Sequence, residues 1–324
     1  MPPPAANIQL QYEVLTGDVG LHPLSGRSQI EITGQDRGKF LQGLCTNDIL
    51  ALKPGLGCEA FLPNVQGKVD GYVYVFCRES SLVLDTAADQ AAPLIAGLDR
   101  YHIREDVQLH DRSRSWAELL VCGPRAEVLL SDSIRQAVPQ QALEHLEAEL
   151  AGAAIMLRRV PFAGACGFFV ACDADRLDGC STALQQAGAT PCDAAAVEIA
   201  RIEAGTPLYS RDITSDNLPQ EVDRNGQAIS FTKGCYLGQE TIARIDALGH
   251  VNRTLMGLRF CSDEVPAIGT QIVAGKKTVA RVTSACWSLK LDAPLALAYV
   301  RRGHNRPGTK IASDYGEAEV IALS

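Results

Sequence analysis

The sequence predicts an α+β protein in three parts: two α+β subdomains over residues 1–112 and 113–245, and a small antiparallel β-barrel over residues 246–324. Three observations lead to this prediction. Strand-like and helix-like segments alternate up to about residue 245. A polar break at residues 112–115 divides that region in two. From residue 254 onward only short strand-like runs remain, separated by glycine and proline turns, which is typical of a small barrel.

The composition indicates an ordinary soluble globular protein. Of its 324 residues, 46% are apolar and 21% are charged. The net charge of −8 argues against a general nucleic-acid binder, which is usually basic. Residues 1–6 lack the features of a signal peptide, and no apolar run approaches the roughly 20 residues of a membrane helix. We therefore expect a cytoplasmic protein with neither nucleic acid nor membrane as a partner.

The eleven cysteines are predicted to be free thiols. Their number is odd, and a cytoplasmic chain keeps its thiols reduced. They form no Cys-x-x-Cys pair, and the six histidines form no His-x-x-x-His pair. Since metal and cluster sites usually show such spacings, we expect no intrinsic metal site.

The first subdomain is predicted to begin with a strand at 28–32, followed by a helix that Asp36 caps. The turn at 63–67 separates two further strands. The remaining predicted elements of this part are strands at 58–62, 68–76, 81–85 and 107–111 and a helix at 88–101.

The strand at 68–76 carries a possible ligand-binding face. Strict alternation places the side chains of Asp70, Tyr72, Tyr74 and Phe76 on one side of it. A carboxylate among aromatic rings suits a flat polar heterocycle. An edge strand covered by a helix would show the same pattern, so both interpretations stay open.

The second subdomain repeats the pattern of the first. A helix at 194–204 is predicted to be capped by Asp193 and to end before Pro207. Residues 209–230 read as a long ordered loop of the kind that compact domains keep for function. The other predicted elements are strands at 117–122, 155–160 and 167–172 and helices at 124–130, 140–150 and 176–186, and the barrel strands are predicted at 254–261, 278–287, 294–300, 310–312 and 318–323.

Residues 231–240 carry the most specific chemistry. Cys235 lies between Gly234 and Gly238, which permit sharp turns, and a short helix is predicted to follow. The helix terminus and the nearby ammonium of Lys233 would together lower a thiol pKa of about 8.5 by roughly one unit. This predicts a reactive thiolate. The alternative is a buried, inert cysteine, as most free cysteines are.

Residues 233–240, Lys-Gly-Cys-Tyr-x-Gly-Gln-Glu, resemble the signature of the YgfZ family. These are folate-binding proteins related to the glycine-cleavage T-protein (aminomethyltransferase) and linked to maintenance of iron–sulfur enzymes. Residues 40–49 are similar to the family's FLQG and TND segment, and residues 201–205 to its R-I-E-A-G segment. The resemblance implies the three-part T-protein fold around a central folate pocket.

The resemblance also implies site residues for tetrahydrofolate. Glu203 would bind the pterin, since a carboxylate accepts the two adjacent donors of the pterin edge. Asp70 and Tyr72 would contribute to the pocket. Tyr72 falls where aminomethyl-transferring relatives have a catalytic aspartate. Arg244 or Arg253 could hold the carboxylates of the glutamate tail.

From the residues alone, Glu203 could equally be a solvated glutamate or one paired with Arg201. The function that the resemblance implies is tetrahydrofolate-dependent assembly or repair of iron–sulfur enzymes. Cys235 and Lys233 would supply the chemistry, and iron–sulfur assembly or client proteins would be the partners. The alternatives are a folate-dependent aminomethyltransferase or other one-carbon transferase, and a folate-binding scaffold without chemistry.

Overall fold

A computed structural model describes residues 4–164 and 166–323. The first three residues of the proline-rich start therefore lie outside the described residues. The described chain forms three sheets, and the predicted α+β class with a C-terminal antiparallel barrel is confirmed.

The helices are α1 Ala6–Gly17, α2 Arg37–Gln42, α3 Ala91–Asp99, α4 Ala126–Ile134, α5 Leu177–Gln186, α6 Ala194–Glu203, α7 Asn225–Ala228 and α8 Gln239–Leu248, with 3-10 turns at Ala174–Arg176 and Pro219–Val222. The strands are β1 Gly20–Pro23, β2 Ser28–Thr33, β3 Gly57–Pro63, β4 Val69–Cys77, β5 Leu82–Thr86, β6 Gln108–Asp111, β7 Trp116–Cys122, β8 His145–Leu150, β9 Ala153–Arg159, β10 Gly167–Asp173, β11 Thr190–Pro191, β12 Arg253–Phe260, β13 Gln271–Ala274, β14 Lys277–Ser288, β15 Ala293–Arg301, β16 Lys310–Ser313 and β17 Gly316–Ile321.

The first sheet has the order β3-β4-β5-β2-β6 and is antiparallel throughout. Apolar side chains of α2 and α3, among them Leu41 and Leu94, pack against one face of it. The predicted helix after Asp36 is confirmed, but its cap is not. The Asp36 carboxylate instead accepts the backbone N–H of Asp106, so it ties two loops together.

The second sheet has the order β11-β1-β7-β10-β9-β8. It recruits β1 from the beginning of the chain, which pairs with β7 and β11, while α1 packs against α6. The prediction of a helix at 140–150 is wrong, since β8 pairs there with β9. Its leucines, alanines and glutamates favour a helix, but Glu147 and Glu149 alternate with less exposed neighbours, and pairing in the sheet overrides propensity.

The third sheet has the order β13-β14-β15-β12-β17-β16, and its end strands β13 and β16 lie close to each other. Its interior is filled by a separate apolar cluster that includes Leu258, Val282 and Val320. This is the predicted small antiparallel barrel.

Two kinds of contact join the three parts. One continuous apolar core contains Phe61 of the first sheet, Phe169 of the second and Leu297 of the barrel. A fully buried ion network crosses between the first two sheets. Arg158 of β9 donates there to Asp85 of β5 and to Glu118 of β7. The junction of the parts is therefore fixed by packing and by charge.

Candidate functional site

A cavity of about 630 Å³ lies where α1, α6 and the barrel meet, and we call it the Glu203 cavity. Tyr12 of α1, Glu203 at the end of α6, Arg224 of the long loop and Lys290 of the barrel line it. Its volume falls within the roughly 300–1,000 Å³ of small-molecule sites. The cavity therefore has one carboxylate, from Glu203, and two cationic side chains, from Arg224 and Lys290, among its lining residues.

Protein donors already hold the Glu203 carboxylate. One oxygen accepts the hydroxyl of Tyr12. The other accepts the hydroxyl of Ser288 at 2.6 Å and the backbone N–H of Lys290 at 3.1 Å. Burial and this bond to Glu203 raise the pKa of Tyr12, so the phenol remains a donor. A ligand bound to Glu203 would use the remaining acceptor position or displace one of these donors.

Arg201 does not pair with Glu203, although the sequence left that pairing open. Its guanidinium is buried and donates to Glu198 at 2.8 Å and to Asp212 at 3.0 Å. It also donates to the hydroxyl of Ser284 in β14. Arg201 therefore attaches α6 to the barrel, which leaves Glu203 free to face the cavity.

Arg224 connects the Glu203 cavity to the first sheet. Its Nε donates to Glu59 of β3 at 2.9 Å, and the hydroxyl of Tyr72 donates to the same carboxylate at 2.6 Å. Glu59 and Tyr72 are both buried. Tyr72 occupies the position at which the resemblance implies a catalytic aspartate in transferring relatives. This position thus carries a buried phenol that is hydrogen-bonded to Glu59. Sequence reasoning missed Glu59 and Arg224, because only the fold brings them together.

Asp70 does not share a face with Tyr72, so the prediction from strict alternation is wrong. Leu62 pairs with Gly71 and Pro63 pairs with Val69, which leaves Asp70 as the extra residue of a β-bulge. The bulge shifts the side chains by one position. Asp70 is therefore exposed and lies away from the Glu203 cavity.

Asp70 lines a second cavity, of about 530 Å³, which we call the Asp70 cavity. This cavity lies between α3, the β3–β4 turn and the segment before α8, with Tyr209 and Leu237 also in its walls. Neither cavity has both Asp70 and Glu203 in its walls. The two residues predicted to hold one folate are thus in different cavities.

Lys233 is buried and its ammonium is turned into the protein. The Nζ atom donates to the carbonyl oxygens of Gln42, Cys45 and Asn47 at 2.7–2.9 Å. Burial lowers the pKa of Lys233. The ammonium lies 4.0 Å from the sulfur of Cys45, a neighbour that the sequence did not suggest. The structure gives Lys233 the role of tying its loop to the segment after α2.

Backbone hydrogen bonds also join the segment at residues 40–49 to the Lys-Gly-Cys segment at residues 233–240 and the residues just before it. The Ser230 N–H donates to the carbonyl of Thr46, and the Leu237 N–H donates to that of Gly43. The FLQG and TND segment and the Lys-Gly-Cys segment therefore form one packed unit beside the Asp70 cavity.

Cys235 is exposed, which contradicts the alternative of a buried cysteine. Of its two flanking glycines, only Gly238 has a left-handed backbone, with φ of +73°. Cys235 lines neither the Glu203 cavity nor the Asp70 cavity. The resemblance implies that Cys235 supplies chemistry to a folate held by Glu203, but neither of these two cavities contains both residues in its walls.

The two predicted tail-binding arginines lie elsewhere on the surface. Arg253 donates to Glu221 at 3.0 Å and stacks over the ring of Tyr299. Arg244 is exposed on α8. Neither lines the Glu203 cavity.

Within 4–164 and 166–323, no group of three or more Asp, Glu, His or Cys side chains is arranged to hold a metal ion. None of the helices in this part of the chain has the length and apolar character needed to cross a bilayer.

Comparison with known proteins gives consistent relatives along the chain. An aminomethyltransferase of Nostoc sp. is 28% identical over 311 residues, covering 93% of this chain and 81% of that protein. One from Bacillus subtilis is 28% identical over 320 residues, covering 96% and 87%.

The crystal structure of the glycine cleavage system aminomethyltransferase T from Bartonella henselae matches with a TM-score of 0.84 at 20% identity, covering 97% of this chain and 88% of that one. At this identity the match shows a shared fold. The GCVT N-terminal domain model matches residues 5–233, and the glycine cleavage T-protein C-terminal barrel domain model matches residues 253–323. This chain therefore belongs to the glycine cleavage T-protein family.

Proposed function

We propose that this protein binds a reduced folate in the Glu203 cavity and acts as a folate-dependent one-carbon transferase. The observation that carries the proposal is the charge pattern of the cavity, whose walls contain the carboxylate of Glu203 and two cations, Arg224 and Lys290. A folate has a pterin edge rich in donors at one end and a glutamate tail rich in carboxylates at the other. The relatives named aminomethyltransferase support transfer rather than iron–sulfur repair.

The charged residues of the cavity, and Glu59, which lies outside its walls and pairs with Arg224, would have separate tasks. Glu203 would accept the two donors of the pterin edge, one at its remaining acceptor position and one after displacement of the hydroxyl of Tyr12 or Ser288. Arg224 is already paired with Glu59, so the exposed Lys290 is the cation left for the carboxylates of the tail. Glu59 accepts hydrogen bonds from Arg224 and from Tyr72, and Tyr72 is the residue at which transferring relatives are expected to have an aspartate. We assign to it the electrostatic role of that aspartate.

Calorimetric titration with tetrahydrofolate tests the binding site. The unmodified protein should bind with one site, and Glu203→Ala should abolish that binding. Glu149→Ala, which removes an exposed carboxylate of β8, is the matched control and should bind normally. Equal affinity of the Glu203→Ala variant would remove Glu203 from the site.

The second candidate function is thiol-dependent support of iron–sulfur enzymes, as in the YgfZ proteins. The specific observation that favours it is the exposure of Cys235 within the Lys-Gly-Cys segment. The phenol of Tyr72 at the position of the aspartate also weighs toward it. Iron–sulfur client proteins would then be the partners, and a folate-binding scaffold would be the variant without chemistry.

One pair of assays separates these functions. Formation of methylenetetrahydrofolate from a lipoyl-bound aminomethyl donor that survives Cys235→Ala supports the transferase. Absence of turnover, together with loss of iron–sulfur enzyme activity in cells carrying Cys235→Ser, supports the thiol function. If no methylenetetrahydrofolate is formed and iron–sulfur enzyme activity is normal in cells carrying Cys235→Ser, the folate-binding scaffold without chemistry is the function supported.

A further inference from the structure

The Asp70 cavity is a second built site that the proposed function does not use. Leucine side chains form one part of its walls, from Leu44, Leu62, Leu94, Leu98 and Leu237. Polar side chains, among them Asn64, Gln66 and Gln90, form another part. Its volume of about 530 Å³ falls within the range of small-molecule sites.

The β-bulge of β4 is what places a carboxylate in this cavity. Asp70 has no pairing partner across the strands, and its neighbour Gly71 lies so close to Leu94 that a Cβ there would be 2.6 Å from the Leu94 side chain. Bulges commonly re-aim a side chain next to a functional site. Here the bulge directs an acid into a leucine-lined space.

The Asp70 carboxylate has no cationic partner among residues 4–164 and 166–323. Its one side-chain hydrogen bond comes from the neutral amide of Asn64, at 3.0 Å. Burial, and then the negative charge of Asp70, raise the pKa of Tyr209 to about 12. The carboxylate of Asp70 and the phenol of Tyr209 therefore belong to the walls of one cavity.

Two tyrosines complete a surface suited to a cation. Tyr209 and Tyr101 both line the cavity. Aromatic faces attract ammonium groups, and the negative charge of Asp70 attracts them as well. Asp70 and Arg100, which is also in the wall, are both solvent-exposed, so water screens both charges.

We propose that the Asp70 cavity binds an organic ammonium ion, whose apolar alkyl or aryl body packs among the leucines and whose charged nitrogen pairs with Asp70. The proposal is independent of folate binding, because the two cavities share no wall residue. It assigns a ligand class to a site beside the Lys-Gly-Cys segment.

Phenethylamine is a suitable probe, with phenethyl alcohol as its neutral analogue. We expect saturable binding of the amine by calorimetry and at least tenfold weaker binding of the alcohol, because the alcohol lacks the charge-assisted bond. Asp70→Asn should weaken the amine at least tenfold and leave the alcohol unchanged. Asp132→Asn, which removes an exposed carboxylate of α4, is the matched control and should change neither.

A cavity-filling variant tests the location without touching the charge. Gly97 of α3 lines the cavity, and a Cβ there would meet no atom within 4 Å, so the side chain of Gly97→Trp can leave the helix without a clash at its Cβ and should fill the cavity and abolish amine binding. Gly179→Trp, at an equally open glycine of α5, should bind normally. Equal affinity for amine and alcohol, unchanged binding in Asp70→Asn or in Gly97→Trp, or no saturable binding would each overturn the proposal.

Discussion

Substitution of Gly238 by alanine should destabilise the protein strongly, whereas the same change at Gly234 should not. Gly238 has φ of +73°, and a Cβ added there would lie 2.4 Å from the carbonyl oxygen of Asn64. Gly238 also approaches Gly67 of the β3–β4 turn, whose own Cβ would lie 3.1 Å from the Gly238 carbonyl. The turn and the start of α8 can therefore approach this closely only through two glycines.

The magnitude follows from three contributions. The left-handed backbone costs an alanine about 1–2 kcal/mol. Displacing the Asn64 carbonyl costs about 1–3 kcal/mol, as overpacking does. The reduced freedom of the unfolded chain returns about 0.4–1 kcal/mol. Gly238→Ala should therefore lower the free energy of unfolding by about 3 kcal/mol.

Gly234 is the matched control, since its backbone is not left-handed and a Cβ there would meet nothing within 4 Å. Gly234→Ala should raise the free energy of unfolding by about 0.5 kcal/mol or leave it unchanged. Urea unfolding followed by circular dichroism measures both variants. The reasoning is refuted if Gly238→Ala is as stable as the unmodified protein, or if both variants lose the same stability.

Three further predictions follow. Arg158→Met leaves Arg27 as the one guanidinium of the described residues that is paired with the two buried carboxylates of Asp85 and Glu118, and should cost about 3 kcal/mol in urea unfolding. Arg125→Met, which breaks an exposed pair, should cost no more than about 1 kcal/mol, and similar losses in the two variants would contradict the importance of burial. Burial, and then the charge of Arg158, lower the pKa of His145 to about 4. As the pH falls from about 6.5 to 4, the unfolded chain therefore binds a proton at this histidine before the folded protein does, and about 3 kcal/mol of stability should be lost. A His145→Gln variant with the same loss would exclude His145 as its source. Because it is exposed, Cys235 should be alkylated by iodoacetamide in the native protein, while the buried Cys180 should react only after unfolding. Mass spectrometry measures both, and an unmodified Cys235 in the native protein would contradict its exposure.

The elements that alternation and turn residues define were predictable from the sequence. The hairpin of β3 and β4 falls close to where apolar alternation and glycine turns place it, and so do the barrel strands other than β13, which was not predicted. Two errors have physical causes. Residues 140–150 favour a helix locally, but β8 gains more by pairing with β9. The helix α1 was missed because only Tyr12 and Leu15 of its residues are buried, which gives a weak apolar stripe.

The site was harder to predict because it depends on contacts between distant segments. Glu203 was found through a local resemblance, and it does line a cavity. Arg224 and Glu59 are 165 positions apart and meet only in the folded chain. Asp70 was assigned to the wrong face because a single-residue bulge leaves no mark in an alternating pattern. Lys233 looked like a partner for Cys235, but the free carbonyl groups after α2 attract its ammonium instead.

The measurement that bears most directly on the account is a crystal structure of the protein soaked with 5-formyltetrahydrofolate. The account predicts density for the pterin in the Glu203 cavity, with its amine and ring N–H within hydrogen-bond distance of the Glu203 carboxylate and the tail directed toward Lys290. Folate density in the Asp70 cavity, or an unoccupied Glu203 cavity at saturating ligand, would contradict it.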